Sequence, residues 1–136
     1  MLQLLTLRKA FADTPVFQGV SLHLQAGEFV ALLGESGVGK STLLNCIAGL
    51  DEPDAGEVRI AGTPLHSLPE AARARLRRER LGFVFQAFHV LPHLSVEENV
   101  GLPLRLLGRL DNARVQAVLE AVGLQGLGAR LPAQLS

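Results

Sequence analysis

The sequence has few lysines, one cysteine and no charge excess of either sign. Among its thirteen basic residues only Lys9 and Lys40 are lysines, and the other eleven are arginines. Thirteen acidic residues balance them, so no net field draws the chain to nucleic acid or to anionic lipid. The single Cys46 excludes a disulfide framework within the chain, which suits a reducing compartment. Its place in the apolar run LLNCIAGL predicts a small buried side chain.

Long apolar runs are missing as well. No stretch reaches the roughly 18 consecutive apolar residues that a membrane-spanning helix needs. At the N-terminus the charges follow the first apolar residues, which is the reverse of a secretory signal peptide. Apolar residues still make up 48% of the 136 residues, enough for the core of one domain. We therefore expect a soluble chain in the cytosol.

Two strand patterns occupy the first part of the chain. Residues 2–8 (LQLLTLR) and 20–25 (VSLHLQ) are apolar at alternate positions, which predicts half-buried strands. Residues 28–33 (EFVALL) and 81–86 (LGFVFQ) are continuous apolar runs, typical of strands buried on both faces. A further short strand is predicted at 56–62 (GEVRIAG). Antiparallel-type strands followed by strand–helix units indicate an α/β fold.

One helix is predicted before residue 60 and another after it. The first follows a glycine-rich turn at 40–50, with an apolar face. The second begins with the pattern SLPE, in which Ser67 and Glu70 form a capping box and Pro69 stands in the first turn. This second helix is polar nearly all round. The apolar face of the first helix consists of Leu43, Leu44, Ile47 and Leu50.

Two more helices are predicted in the last third of the chain. A second capping box at Ser95 opens a helix that Pro103 should kink or delay. The last helix lies within 111–124, with Asp111 as its cap and Gly123 as its end. Its apolar stripe consists of Val115, Val118, Leu119 and Val122.

Residues 34–41, GESGVGKS, match the pattern G-x-x-x-x-G-K-[ST] between a predicted strand and a predicted helix. Successive backbone N–H groups of such a turn, backed by a helix N-terminus, can match the charge of phosphate groups. Gly34, Gly37 and Gly39 permit a backbone that approaches the phosphate oxygens closely. The G-x-G-x-x-G register of a dinucleotide-binding turn is absent, so the motif predicts a phosphate-binding loop.

The side chains at the end of this loop suit a nucleoside triphosphate with its metal ion. Lys40 is a point charge suited to the β- and γ-phosphates, and the Ser41 hydroxyl suits Mg²⁺. Thr42 can donate to the phosphate nearest the sugar. The predicted nucleotide-binding residues of the loop are Gly34, Glu35, Ser36, Gly37, Val38, Gly39, Lys40, Ser41 and Thr42.

Around this loop the sequence resembles the ATP-binding subunits of ABC transporters. Residues 27–62 contain the STLL, AGL and P-x-x-G-x-V elements that recur in the family, and residues 81–100 are similar to its Q-loop segment. The resemblance covers essentially the whole chain and is closest to the branch that serves lipoprotein release and macrolide export. It implies an α/β P-loop NTPase fold with an N-terminal antiparallel β subdomain. The P-loop would be 34–41, and the Q-loop would lie around residue 86. Residues of about 95–136 would form the first part of a helical subdomain.

The resemblance also implies roles, cofactors and partners. Phe11 stands where the family places an aromatic ring against adenine, and Gln86 resembles the glutamine that contacts Mg²⁺ and the attacking water. ATP and Mg²⁺ are the implied cofactors. The implied partners are a transmembrane permease and a second copy of the nucleotide-binding domain, with no nucleic acid. The subunit would lie peripherally on the cytoplasmic side of the plasma membrane.

Competing interpretations remain for three features. Phe11 could instead be a core residue at a strand end. His89 and His93 are four residues apart, but Leu91 and Pro92 between them favour a loop over a zinc-binding helix. An arginine cluster could bind RNA or lipid, although interrupting glutamates favour a solvated helix face. That cluster consists of Arg73, Arg75, Arg77, Arg78 and Arg80.

The final residues, RLPAQLS, resemble the start of the family's signature motif, which continues beyond QLS with glycines. The Walker B carboxylates and the switch histidine of the family have no counterpart here. We therefore expect the N-terminal part of an ATPase subunit that binds ATP without turning it over, and we expect the run 28–33 to be left partly uncovered. A separate non-hydrolysing nucleotide-binding module and another P-loop enzyme, such as a small kinase, are the alternatives.

Overall fold

The computed structural model describes residues 1–85 and 89–135, and the chain forms two compact units, Met1–Leu81 and Gly82–Ser136. The elements of the first unit are β1 (Leu2–Phe11), β2 (Thr14–Leu24), α1 (Lys40–Ala48), β3 (Ala55–Ile60), β4 (Thr63–Pro64) and α2 (Glu70–Arg80). Those of the second are α3 (Val96–Leu106), α4 (Asn112–Ala121) and a 3₁₀ turn at Pro132–Gln134.

The first unit is built on a four-stranded antiparallel sheet with the order β2-β1-β3-β4. β1 and β2 form a hairpin in which Phe11 pairs with Thr14 across a two-residue turn. Apolar side chains alternate along β1, so the sheet has one face directed at a core that α1 joins through Leu43. The buried members of this core are Leu4, Leu7, Leu43, Val58, Ile60 and Leu65.

The strands predicted from alternating apolar residues are confirmed, and the strands predicted from continuous apolar runs are wrong. The strands predicted at 2–8, 20–25 and 56–62 correspond to β1, β2 and β3. Residues 28–33 have no strand assignment, and Phe29 and Leu33 are 90% and 87% exposed, so the expectation of an uncovered run is confirmed. Residues 81–85 are likewise not a strand, and Gln86 lies outside the described residues. A fully apolar run forms a strand only where neighbouring strands pair with it and cover it.

The predicted helix following the glycine-rich turn is α1, which begins at Lys40. Of its predicted apolar face, Leu43 is buried, whereas Leu44 and Leu50 are 46% and 54% exposed. Cys46 is fully buried, as its apolar neighbours predicted, and burial raises the pKa of its thiol.

The capping box predicted at Ser67 is wrong. The helix α2 begins at Glu70, and Pro69 stands at the N-cap instead of in the first turn. Within residues 1–85 and 89–135 no side chain caps this helix. The physical reason is competition, because the Glu70 carboxylate accepts a hydrogen bond from Arg77 Nη2 at 2.8 Å. This charge-assisted bond replaces the bond to a backbone N–H that a capping box needs.

The second unit packs α3 against α4. The Ser95 capping box is confirmed, with Glu98 N–H donating to Ser95 Oγ and Ser95 N–H donating to the Glu98 carboxylate. α3 starts directly at Val96 and contains Pro103, so the proline does not delay the helix. Asp111 caps α4 as predicted. Only Val115 and Leu119 of the predicted stripe are buried, while Val118 and Val122 are exposed.

Among the described residues no helix is long and apolar enough to cross a membrane.

Gly56 is a point where β3 tolerates only glycine. It has φ +89°, and a Cβ there would lie 2.5 Å from the carbonyl oxygen of Leu5 and 2.6 Å from that of Thr6. We expect Gly56→Ala to lower the free energy of unfolding by about 2–4 kcal/mol, through left-handed strain and overpacking against β1. Urea denaturation followed by circular dichroism measures the loss.

Gly62→Ala is the matched control for this substitution. Gly62 has φ +82° but nothing within 4 Å of an added Cβ, so it tests the backbone strain alone. Its expected loss is about 1–2 kcal/mol. Equal losses for the two variants would contradict the close approach of β1 to Gly56.

Candidate nucleotide-binding site

The glycine-rich loop runs directly into α1 and leaves the start of that helix open. Gly37 and Gly39 have φ of +82° and +98°, in the left-handed region that favours glycine, and Gly39 is the N-cap. Among the described residues no side chain caps this end, and the first turn contains no acidic residue. The N–H groups of the first turn are therefore available to an anion, and the positive end of the helix dipole lies behind them.

Lys40 folds back over the loop that precedes it. Its Nζ donates to the carbonyl oxygens of Gly34 at 2.7 Å and Glu35 at 2.5 Å. The ammonium is thereby held at the start of the loop whose other end is the open first turn of α1. The loop thus places one cation and several N–H donors around the same small space, as phosphate recognition requires.

The β1–β2 hairpin supports the N-terminal end of α1. A Cβ added to Gly39 would overlap Val16 Cγ1, so the loop backbone lies directly against β2. Val16 is two residues beyond Thr14, the partner of Phe11 at the hairpin turn. The hairpin end that holds Phe11 is therefore only a few residues along the chain from Val16, which contacts the P-loop.

Phe11 is 55% exposed, so the interpretation of this residue as part of the core is wrong. The Lys9 ammonium lies over its ring, 5.2 Å from the ring centroid. This distance is within the range of a cation–π interaction. The exposed part of the ring leaves an aromatic surface for stacking.

Lys9 is an almost buried cation that joins β1 to the segment following α1. It is 8% exposed, and its Nζ donates to Asp51 Oδ1 at 2.9 Å and to the Glu52 carbonyl oxygen at 2.7 Å. The hydrogen bond lowers the pKa of the Asp51 carboxyl and raises the pKa of the Lys9 ammonium. The scarcity of lysine was the sequence signal for this residue, but no pattern paired it with a carboxylate 42 residues away.

Two further side chains bind the C-terminal end of α1. His66 Nε2 lies 2.9 Å from the Cys46 carbonyl oxygen. Since a carbonyl oxygen can only accept, the imidazole nitrogen is the donor. Arg77 Nη1 donates to the Gly49 carbonyl oxygen at 2.8 Å. Together with Lys9 they place donors at the negative end of the helix dipole, where cations are stabilising.

The other predicted loop residues lie at the surface. Glu35, Ser36, Val38 and Ser41 are exposed and Thr42 is half-buried, so none of them is used in the core. Gln86, the predicted catalytic residue and Mg²⁺ ligand, lies outside the described residues. Ser41 is therefore the one predicted Mg²⁺ ligand within the described ranges, in the first turn of α1.

The two histidines considered for zinc do not form a cluster in the described parts of the chain. No group of three or more His, Cys, Asp or Glu residues there could hold a metal ion. His89 instead lies against the Phe85 ring, with the two ring centroids 4.3 Å apart.

The arginine cluster of α2 is largely paired with carboxylates. Arg73 binds Glu52 and Arg77 binds Glu70, each at 2.8 Å. Arg75 binds Glu79 one turn away along the helix. Since α2 has no buried residues and three of its five arginines are paired with carboxylates, the structure favours the solvated helix face over a basic patch.

Three of the four carboxylates that follow residue 86 have local partners. Glu98 is part of the Ser95 capping box, and the backbone hydrogen bond from Ser95 lowers the pKa of its carboxyl. Glu97 accepts from Gln116 at 3.1 Å, and Asp111 caps α4. These groups order the helices of the second unit.

The Lys9–Asp51 pair predicts an acid-sensitive part of the stability. Because the pKa of Asp51 is lowered on folding, the pair stabilises the fold above the ordinary carboxyl pKa of about 3.9 and loses this effect as pH falls through the folded value. We expect Asp51→Asn to lower the free energy of unfolding at pH 7 by about 1–2 kcal/mol. Urea denaturation between pH 7 and pH 3 should show the difference from the wild type shrinking toward the acid end.

Asp13→Asn is the control for the charge change. Asp13 is exposed in the hairpin turn, a position that asparagine also favours. Its unfolding curve should follow the wild type. A difference between Asp51→Asn and the wild type that stays constant down to pH 3 would contradict the ion pair.

Comparison with known proteins gives a consistent result. The ABC transporter family matches residues 17–136. The chain is 48% identical over 127 residues to the ABC transporter ATP-binding protein YbbA of Escherichia coli K12, covering 91% of this chain and 56% of YbbA. It is 45% identical over 137 residues to the lipoprotein-releasing system ATP-binding protein LolD of Xanthomonas oryzae pv. oryzae, covering 96% and 56%.

A solved structure agrees with these relatives. The ABC cassette MJ0796, as a dimer in a post-hydrolysis state bound to ADP and Pi, matches with a TM-score of 0.87 and 34% identity over all of this chain and 63% of that one. The chain spans about half the length of YbbA and LolD. The predicted resemblance and the predicted α/β P-loop fold with an N-terminal antiparallel sheet are confirmed. The chain belongs to the ABC transporter family and corresponds to the N-terminal part of its ATP-binding cassette.

Proposed function

We propose that this chain binds the triphosphate of ATP through residues 34–42, as part of the ATP-binding subunit of an ABC transporter. The observation that carries the proposal is the Lys40 ammonium, held by two carbonyls of the same loop that leads into the open first turn of α1. That arrangement offers a cation and unpaired N–H donors to an anion at one place. The cassette MJ0796, which has the same fold, was solved with ADP and Pi.

Each residue of the loop has a distinct role in this proposal. Backbone N–H groups come from the three glycines and from Glu35, Ser36 and Val38. None of these residues is buried. Lys40 exchanges its uncharged carbonyl partners for phosphate oxygens, which adds the attraction between opposite charges to the hydrogen bond. Thr42 donates its hydroxyl to a phosphate nearer the sugar.

Ser41 fits a magnesium site. Its hydroxyl lies in the first turn of α1, directly after Lys40, and it is exposed to solvent. Hydroxyl and phosphate oxygens are the hard ligands that Mg²⁺ takes when it binds with a nucleotide. When bound, the ion offsets negative charge on the phosphates. Ser41 itself contributes one oxygen to it, and Gln86 is proposed as a second protein ligand.

Phe11 is proposed to receive the adenine. Its ring is exposed, stands at the end of β1 and belongs to the hairpin that touches the P-loop through Val16. An exposed aromatic ring on a fixed strand offers a base a flat apolar surface at low entropic cost.

At the level of the whole subunit, we propose ATP hydrolysis coupled to a membrane permease. In this proposal Gln86 contacts the attacking water, and two nucleotide-binding domains act as a homodimer on the cytoplasmic face of the membrane. Support comes from LolD, an ATP-binding protein of a lipoprotein-releasing system, and from the dimeric cassette MJ0796.

Lys40→Ala tests the phosphate site. We expect the affinity for Mg–ATP to fall by about 10- to 100-fold, because the variant removes the one charged donor of the loop. Isothermal titration calorimetry with the purified chain gives the dissociation constant. Circular dichroism should show an unchanged fold.

Arg78→Ala is the matched control, since it removes a positive charge from an exposed position of α2. Its affinity for Mg–ATP should equal that of the wild type. Unchanged affinity in Lys40→Ala would contradict the assignment of the loop as the phosphate site.

A further inference from the structure

Lys9 makes three contacts through a single atom, its Nζ. Its Nζ donates to Asp51 Oδ1 at 2.9 Å and to the Glu52 carbonyl oxygen at 2.7 Å. The same atom lies 5.2 Å from the centroid of the Phe11 ring. Lys9 is 8% exposed, whereas Phe11 is 55% exposed. The cation is therefore fixed in the interior, and the ring covers it from the outside.

We propose that Lys9 is a positioning residue for the Phe11 ring, holding one face of the ring so that its other face is presented to the nucleobase of ATP. This inference rests on the proposed role of Phe11. It adds a residue that touches neither the base nor the phosphates and acts through the ring alone.

The strand end that holds Phe11 is tied to the same segment as Lys9. Ala10, between the two residues, donates its N–H to Asp54 Oδ2 at 2.7 Å, and Asp54 N–H donates to the Arg8 carbonyl oxygen at 2.9 Å. The backbone of the strand end is thus fixed independently of Lys9. The Phe11 side chain is half exposed, and the Lys9 ammonium is a contact that restrains it on one face.

Two physical effects follow from this contact. Restraining an exposed ring before the ligand arrives reduces the entropy lost on binding. A cation on one face also interacts with the negative quadrupole of the ring, which makes the opposite face a better surface for an electron-rich purine. Both effects act on the base and not on the phosphates.

Lys9 also connects the base site to the phosphate site through α1. Asp51 lies two residues beyond Gly49, the C-cap of the helix whose first turn follows the P-loop. Lys9 therefore fixes the ring relative to the far end of the phosphate-binding helix. A defect at Lys9 that acted through the helix would weaken both halves of the nucleotide, and one that acted through the ring would weaken the base alone.

The test compares two ligands that share the phosphates and differ in the base. Dissociation constants for Mg–ATP and for inorganic tripolyphosphate with Mg²⁺ are measured by calorimetry on the whole chain and on Lys9→Met. We expect the variant to weaken Mg–ATP binding by about 3- to 10-fold and to leave tripolyphosphate binding unchanged. Lys9→Arg, whose guanidinium can also lie over a ring, should recover most of the loss. Equal weakening of both ligands, or no change in either, overturns the proposal.

Lys9→Met removes a buried cation, so Asp51→Asn serves as a second variant where circular dichroism shows Lys9→Met unfolded. It keeps the ammonium but weakens the bond that places it over the ring. A selective loss of Mg–ATP affinity supports the positioning role. Wild-type affinity for both ligands in this variant overturns it.

Phe11→Ala separates this inference from the proposed function. If Phe11→Ala leaves Mg–ATP affinity unchanged, the adenine role of Phe11 is wrong and the inference falls with it. If Phe11→Ala weakens Mg–ATP and Lys9→Met does not, the base site stands and the positioning role is wrong. If both weaken it, the double variant should bind Mg–ATP no more weakly than Phe11→Ala alone, whereas additive losses overturn the proposal.

Discussion

The candidate site depends on how the β1–β2 hairpin holds the two ends of α1. At the N-terminal end the backbone of Gly39 lies against Val16, so close that a Cβ would overlap it. Beyond the C-terminal end, Lys9 of β1 binds Asp51 and the Glu52 carbonyl. One helix is thus fixed at both ends by neighbouring strands of one sheet. Any group attached to the hairpin, including the Phe11 ring, is placed relative to the phosphate-binding loop by these same contacts.

The two ends of α1 are treated in opposite ways by the rest of the chain. At the C-terminal end His66 and Arg77 donate to the carbonyl oxygens of Cys46 and Gly49, so side chains bind two of the acceptors at this end. At the N-terminal end no described side chain accepts from the first turn, and Lys40 adds positive charge beside it. The fold therefore neutralises the negative end of the helix itself and leaves the positive end to a ligand.

Features set by local sequence were predictable, and features set by distant contacts were not. The P-loop, the Ser95 capping box and the Asp111 cap involve residues within eight positions of one another, so their spacing was enough. The capping box at Ser67 had the same spacing but does not form, because Glu70 binds Arg77, two helical turns further along α2. The run 28–33 failed as a strand because an apolar pattern does not tell whether partner strands cover it. The Lys9–Asp51 pair was not predictable, since it spans 42 residues.

The same distinction separates the two halves of nucleotide recognition. The proposed phosphate binding uses backbone N–H groups and the adjacent Lys40, so a short contiguous motif contains it and the sequence predicts it. The proposed base binding uses a side chain of β1, whose role can be judged only once the fold has placed it. Phe11 is 23 positions before Gly34, and its ring contacts the Lys9 ammonium, which in turn binds Asp51. The proposed base half of the site is therefore a property of tertiary structure, and we expect that a substitution far from both ligand groups alters it without changing the motif.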